Sequence, residues 1–472
     1  MKYISTRGAA PPVSFTQMLL AGLAPDGGLY LPETYPQLSE AAIAGFAGKP
    51  YEEAAQAILA PFLGGEIETG ALREMIAAAY KNFRHPAVAP LAQLDCNIFV
   101  LELFHGPTLA FKDLAMQLLA RLIGHVLKTC GERATIVGAT SGDTGAAAIE
   151  AFAGLAQVDV FILYPHGRVS EVQRRQMTTA EARNIHVIAL EGTFDDAQAC
   201  VKNMFNHKVF RDELNLCGVN SINLARILFQ TVYYFTSAAV LGGPHRKISF
   251  VVPTGNFGDI LAGWIAKRLG LPIDRLVIAT NSNDILTRAL ASGHYAVQTV
   301  RPTQSPSMDI QVSSNFERLL FEAHGRDAGA LCRLMAGLRQ SQGFAIEPGP
   351  LQAIRSEFDA FSVAEGETTR VIARTWREAG FLADPHTAVG LSAAGKAKAQ
   401  ASGSPHVVLG TAHPAKFPAA IARAAGMRPE LPGHLAGLFE RKEKFSVLPN
   451  DQSEIERFIR ARAARAAKRA VP

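Results

Sequence analysis

The stretch "ATIVGATSGDTGAAAIEAFAG", residues 134–154, holds three signals in a row. "ATIVGA" is a short apolar run with β-branched residues, which favours a strand. "TSGD" follows, small and polar, the chemistry of a turn. "TGAAAIEAFAG" then reads as a helix that ends on glycine. A strand that passes straight into a helix is the repeating unit of parallel α/β proteins.

The same alternation extends outward on both sides. From residue 97, the strand candidates are "NIFVLELF", "ATIVGA", "DVFILYP", "IHVIALEG", "ISFVVPTG" and "RLVIATN". Between them lie helical patterns such as "DLAMQLLARLIGHVL", "DDAQACVKNMFN", "ARILFQTVYYFTSAAV" and "DILAGWIAKRLG". The pattern predicts mostly parallel sheets covered by helices on both faces, with ligands beyond the carboxyl ends of the strands. Residues 1–90 read as mainly helical, and "HPAVAPLAQLD" as an extended connector. The expected division is a helical region over 1–90, a catalytic α/β region over 91–425 in two subdomains with the site between them, and an extension over 426–472 carrying a basic helix. "VQTVRPTQSPSMDIQVSSN" interrupts the alternation, and its prolines and small polar residues suggest a mobile loop beside the site. A helical stretch follows, and "PHVVLGTAHPAKFPAAIARAAG" reads as one more strand, turn and helix.

Composition narrows the function classes. The chain has 472 residues, 48% hydrophobic and 19% charged, which suits a folded chain with large cores. Net charge is +5, and without the basic segment from Asp451 onward it falls to +2. A nucleic-acid partner is therefore not expected. The five cysteines show no CxxC spacing, so neither a disulfide framework nor a metal site is expected. No apolar run suits a membrane span, and the start lacks the apolar core of a signal peptide. The expectation is a cytoplasmic protein with no membrane partner.

Four turns at predicted strand ends could hold chemistry. In "HGPTLAFKD", Lys112 stands at a helix start with no other cation nearby in sequence, where the helix dipole favours anions. A partly desolvated lysine there could form a Schiff base, although a surface lysine is the plain alternative. "GATSGDTGAAA" has small residues that let backbone N–H groups approach an anion, but it lacks the spacing of a P-loop or dinucleotide site. "PTGNFGDILAG" flanks Asn256 and Phe257 with Gly255 and Gly258, which suits a phosphate dianion at a helix start, or equally a glycine turn capped by Asp259. In "LGTAHPAKF", Thr411 directly follows an apolar run, and such a hydroxyl can face a ring nitrogen or merely close a turn.

Together with "VNSINLAR", these turns resemble the motif set of threonine synthases in their longer bacterial and fungal branch. "YISTRG" and "LAPDGGLYLP" near the start resemble it too, so the likeness runs from Lys2 to about Phe417. It implies the tryptophan-synthase-β-like fold, fold type II, and a pyridoxal 5'-phosphate (PLP) cofactor. It implies that Lys112 is the Schiff-base lysine. Gly255, Asn256, Phe257, Gly258 and Asp259 would surround the cofactor phosphate, with Thr411 at the pyridine nitrogen. Asp143 lies where relatives on this fold place Asn beside the ring hydroxyl, and a carboxylate there is repelled unless protonated or turned away.

The implied substrate is O-phospho-L-homoserine. Asn220, Ser221 and Arg226 would hold its phosphate, with Thr140, Ser141 and Thr144 nearby; His105, His386 and His413 are further candidates to line the site. The implied reaction is γ-elimination of phosphate and hydration at Cβ to L-threonine, with the freed Lys112 amine as base at Cα. A phospho-lyase releasing a 2-oxo acid, a serine or threonine deaminase, and a non-catalytic relative are the alternatives. A monomer or homodimer is expected.

Overall fold

A computed structural model of the chain describes residues 1–398 and 403–463. Two sheets organise it. The larger runs in the order Phe358–Ser362, Ile273–Thr280, Ile248–Pro253, His406–Gly410, Ile98–Glu102 and Leu91–Gln93. All neighbours in it are parallel except Leu91–Gln93, which pairs antiparallel at the edge. The smaller sheet is wholly parallel, in the order Ser446–Pro449, Ile185–Glu191, Val158–Pro165, Ala134–Ala139 and Leu216–Cys217. Val158–Pro165 is buried at every position, as a strand covered on both faces must be.

The helices Lys112–Cys130 and Leu224–Val240 occupy the space shared by both sheets. One hydrophobic cluster joins Leu118, Leu122 and Phe229 with Ile136 and Val160 of the smaller sheet and Phe250 and Leu276 of the larger. A second core covers the other face of the larger sheet, through Val100, Val251 and Val277 against Val389. A third covers the outer face of the smaller sheet, through Phe161, Leu163 and Ile188 against Met204, Ile455 and Ile459. Residues before the first sheet strand form the helices Phe15–Ala21, Glu40–Ala44, Tyr51–Leu63 and Thr69–Tyr80. They also form a two-stranded ribbon, Tyr3–Ser5 with Tyr30–Pro32.

Several elements differ from the sequence reading. The connector "HPAVAPLAQLD" contains the edge strand Leu91–Gln93. Phe358–Ser362 was hidden in a helical stretch, because its only fully buried residue is Phe358 and it carries no alternating pattern. The extension beyond residue 425 contributes the strand Ser446–Pro449 and the helix Gln452–Arg462. The rest of the expected basic helix lies outside the described residues. Among the described residues, no helix is long and apolar enough to cross a membrane.

Candidate active site

Lys112 is the first residue of its helix, and the loop before it is tightly specified. The Asp113 carboxylate accepts from the Thr108 N–H at 2.8 Å and the Thr108 hydroxyl at 2.7 Å. A Cβ on Gly106 would meet Asp113 at 2.5 Å, so this loop requires glycine there. The Phe111 N–H donates to the Thr411 carbonyl at 2.9 Å, and the His413 N–H to the Leu109 carbonyl at 3.0 Å. Lys112 is thereby clipped to the carboxyl end of the strand His406–Gly410. Its Nζ lies 3.6 Å from Asp143 Oδ2. Burial pushes the proton affinity of the amine down; Asp143 opposes this, while Arg226 and Lys416 add to it.

Asp143 opens the helix Asp143–Phe152 at the end of the strand Ala134–Ala139. The Thr140 hydroxyl accepts from the Gly142 and Gly145 N–H groups, each at 2.9 Å, and so shapes the turn itself. Asp143 Oδ1 accepts from Lys416 Nζ at 2.9 Å and from Gln173 Nε2 at 2.8 Å. Burial alone would raise the carboxyl, but Lys416 and then Lys112 hold it well below the usual carboxylate range. The expected conflict between Asp143 and a neighbouring oxyanion therefore has a third resolution besides protonation or turning away. A buried lysine neutralises it. Sequence reasoning missed Lys416, although "LGTAHPAKF" contained it and its isolation from other charges matches that of Lys112.

The glycine turn lies at the end of the strand Ile248–Pro253. Phe257 adopts φ 61° at the mouth of the helix Gly258–Arg268, its ring buried against Phe316. The Gly255 carbonyl accepts from the Ser313 hydroxyl at 2.7 Å. The Asn256 carbonyl accepts from the Asn315 N–H at 3.1 Å and side-chain amide at 2.8 Å. Both carbonyls are thus taken up by the 297–315 segment, and the first N–H groups of a helix have no intrahelical acceptor. A Cβ on Gly255 would meet the Ser307 carbonyl oxygen at 2.7 Å, whereas at Gly258 it would find ordinary contacts, Ser221 nearest at 3.5 Å. Asp259 does not cap this helix. Its carboxylate accepts from Tyr233 at 2.5 Å and Tyr234 at 3.0 Å, behind the turn, and burial pushes it up to about 6.

Arg226 sits in the first turn of Leu224–Val240, where Asn223 caps the helix by accepting from the Ala225 N–H at 3.1 Å. The residue is 3% exposed. Its Nη1 donates to the Val219 carbonyl at 3.1 Å, while Nε has no partner among the described residues. Burial pushes it down to about 10. Ser221 lies against Gly258, which brings the two candidate phosphate-binding segments together. Ser141 and Thr144 are partly buried in the Asp143 turn, and Asn220 is exposed.

The three histidines divide. His105 pairs with Glu102 at 2.7 Å. His413 accepts from the Ala415 N–H at 3.2 Å, and burial pushes it down to about 4. His386 bonds Asp384 through Nδ1 at 2.8 Å and accepts from the Ser307 N–H through Nε2 at 3.3 Å. The Ser307 hydroxyl donates to Asp143 Oδ2 at 3.4 Å, so the expected mobile segment is bonded to both halves of the site. Ser307, Gln173, Ser313 and Asn315 were absent from the sequence reading, since each acts through a partner far away in the chain.

A buried amine at one helix start and a glycine turn at another thus lie at the ends of two adjacent parallel strands, with the Arg226 guanidinium bearing on the amine. These groups fit PLP: an amine to bind its aldehyde and backbone N–H groups at a helix start for its phosphate. Residues 83–411 match the family model described as pyridoxal-phosphate dependent enzyme, which sets the class and the cofactor. Residues 2–80 match that of the threonine synthase N terminus, and 387–459 that of the threonine synthase C-terminal region. The threonine synthase of Pseudomonas aeruginosa is 52% identical, covering 97% of this chain and 98% of that one. The crystal structure of PLP-bound threonine synthase from Brucella melitensis is 59% identical, with TM-score 0.94, covering 98% of this chain and 99% of that one. The yeast enzyme's crystal structure is 38% identical, with TM-score 0.92 and 98% of both chains covered. The chain belongs to the threonine synthase family, PLP-dependent lyases of threonine biosynthesis.

Proposed function

We propose that the substrate of this enzyme is O-phospho-L-homoserine and that Arg226 grips its phosphate. The observation that carries this reading is the buried Arg226 guanidinium, which no carboxylate neutralises among the described residues and whose Nε is unpartnered. A buried cation in that state is costly unless an anion completes it. PLP, when bound, supplies an electron sink for carbanions beside the substrate amino group. The Lys112 amine, which burial makes easier to deprotonate, removes the proton at Cα and returns it at the end. Arg226 holds the phosphate through charge-assisted bonds and takes up negative charge as it leaves Cγ. A Cβ proton is also lost as phosphate departs, and Cγ takes up a proton to become the methyl group. Water adds its hydroxyl at Cβ, and the products are L-threonine and phosphate. Gly255 to Gly258 would hold the cofactor phosphate through backbone N–H groups, Asp259 steadies that turn from behind, and Thr411 would hold the pyridine nitrogen. Asn220, Ser221, Thr140, Ser141 and Thr144 complete the substrate side.

Purified protein reconstituted with PLP is incubated with O-phosphohomoserine, and phosphate, threonine and 2-oxo acid are measured together. Equal phosphate and threonine are expected; equal phosphate and 2-oxo acid would make the enzyme an eliminating lyase. Arg226→Ala should keep the cofactor spectrum and lose at least about tenfold in kcat/KM, since one charge-assisted bond is worth roughly 1.5–3 kcal/mol. Lysine at 226 should recover part of this, because it keeps the charge and loses the fork. Loss of the cofactor with substrate affinity intact would mean that the two phosphate sites are exchanged.

A further inference from the structure

Lys416 belongs to the single turn Pro414–Lys416 that follows the strand His406–Gly410. Its side chain is 0% exposed and that of Asp143 3%. A buried ammonium is stable only with close partners. Among the described residues, Lys416 has two: Asp143 Oδ1 at 2.9 Å and the Thr108 carbonyl at 2.6 Å. Asp143 hangs from the smaller sheet and Lys416 from the larger, so this ion pair crosses the cleft beside Lys112.

The arrangement fixes how the carboxylate faces the amine. Oδ1 is occupied by Lys416 and Gln173, which leaves Oδ2 turned to Lys112 at 3.6 Å and to the Ser307 hydroxyl at 3.4 Å. The charged groups bearing on Lys112 are Asp143, Arg226 and Lys416, with Asp259 behind the glycine turn. His386 also bears on Asp143, and Ser307 bonds to both. Without Lys416, the full charge of Asp143 would fall on Lys112 and keep it an ammonium, which is no base. We propose that Lys416 is a positioning residue of the reaction, which neutralises and orients Asp143 so that Lys112 can give up its proton. The proposal rests on the reading of Lys112 as the cofactor lysine.

The test compares wild type, Lys416→Met, Lys416→Arg, Asp143→Asn and the double variant Lys416→Met/Asp143→Asn as PLP-loaded enzymes. Two midpoints are read in each: that of the bound cofactor's absorbance against pH without substrate, and that of the acid limb of kcat/KM. Lys416→Met should raise both by at least about one unit, since an uncompensated anion then favours the protonated form of the Lys112 nitrogen. Its kcat should fall at least about tenfold with a smaller change in KM. Lys416→Arg should recover most of the shift. In the Asp143→Asn background, removing Lys416 should move the midpoints by no more than half as much. If Lys416→Met does not fold, the double variant, which buries no unpaired carboxylate, is compared with Asp143→Asn alone, and midpoints within about half a unit are expected. Equal shifts in both backgrounds, or a double variant displaced further than that, would overturn the proposal. Borohydride labelling and peptide mapping separate the two levels. A label on Lys112 with equal shifts sinks the role of Lys416 alone, and a label on another lysine sinks the reading beneath it as well.

Discussion

Asp113 shows how one residue beside Lys112 links the site to stability. Its carboxylate is fully buried and bonded to the Thr108 N–H and hydroxyl. Burial pushes it up to about 6, against an ordinary value of 3.8 in the unfolded chain. The folded state therefore binds this proton more tightly. Its stabilising contribution is complete below about pH 3.8 and is lost as pH rises through about 6, a change of about 3 kcal/mol at 1.36 kcal/mol per unit. Asp259 is raised in the same sense, whereas Asp143 is lowered and acts in the opposite direction. The measurement is accordingly a difference: urea unfolding of wild type and Asp113→Asn between pH 4 and 7. The variant should lose less stability than wild type as pH rises across that window. Identical slopes would mean that Asp113 titrates normally.

At the scale of elements, one acidic residue, Asp309, ties the 297–315 segment to the larger sheet. Asp309 Oδ1 accepts from the Thr303 hydroxyl at 2.6 Å, Asn281 at 2.8 Å and Asn283 at 3.0 Å. Its Oδ2 accepts from the Thr303 N–H at 2.8 Å. Asn281 and Asn283 follow the carboxyl end of the strand Ile273–Thr280, so the sheet itself anchors the loop. Ser307, Ser313 and Asn315 of this segment then reach Asp143, His386, Gly255 and Asn256. Asp309→Ala removes four acceptor contacts at once. Hydrogen-exchange protection over residues 303–309 should fall at least about tenfold, equal to 1.4 kcal/mol, and KM should rise. Unchanged protection would show that the segment is held by other contacts.

At the scale of the whole molecule, the end of the described chain returns to the smaller sheet. Ser446–Pro449 extends that sheet along Ile185–Glu191, and the helix Gln452–Arg462 buries Ile455 and Ile459 in the third core. Arg460 pairs with Glu213 on the rim. This rim contact contributes little in water, and the apolar burial dominates. Ile459→Ala should therefore cost about 2–5 kcal/mol in denaturant unfolding, while folded protein keeps its cofactor spectrum. A loss below about 1 kcal/mol would mean that this helix is dispensable to the core.

The sequence by itself determined the alternation of strands and helices, the parallel sheets, and the family to which its ordered turns belong. These are local properties. A β-branched run, a small-residue turn and a helical period are each written within a dozen residues, and Lys112 stood out because its immediate neighbours carry no other cation. Tertiary structure alone decided what surrounds that lysine. Asp143, Lys416, Gln173, Ser307 and His386 come from five separate elements, and no spacing in the chain records their meeting. The strands Phe358–Ser362 and Ser446–Pro449 were likewise decided by the sheet edges that accept them, because their own residues are only partly buried and carry too little pattern to declare a strand. The charge state of Asp143 followed the same rule. A carboxylate beside a cofactor is a conflict when read alone, and a buried lysine from the other sheet resolves it, since electrostatic energy depends on distance in space rather than along the chain.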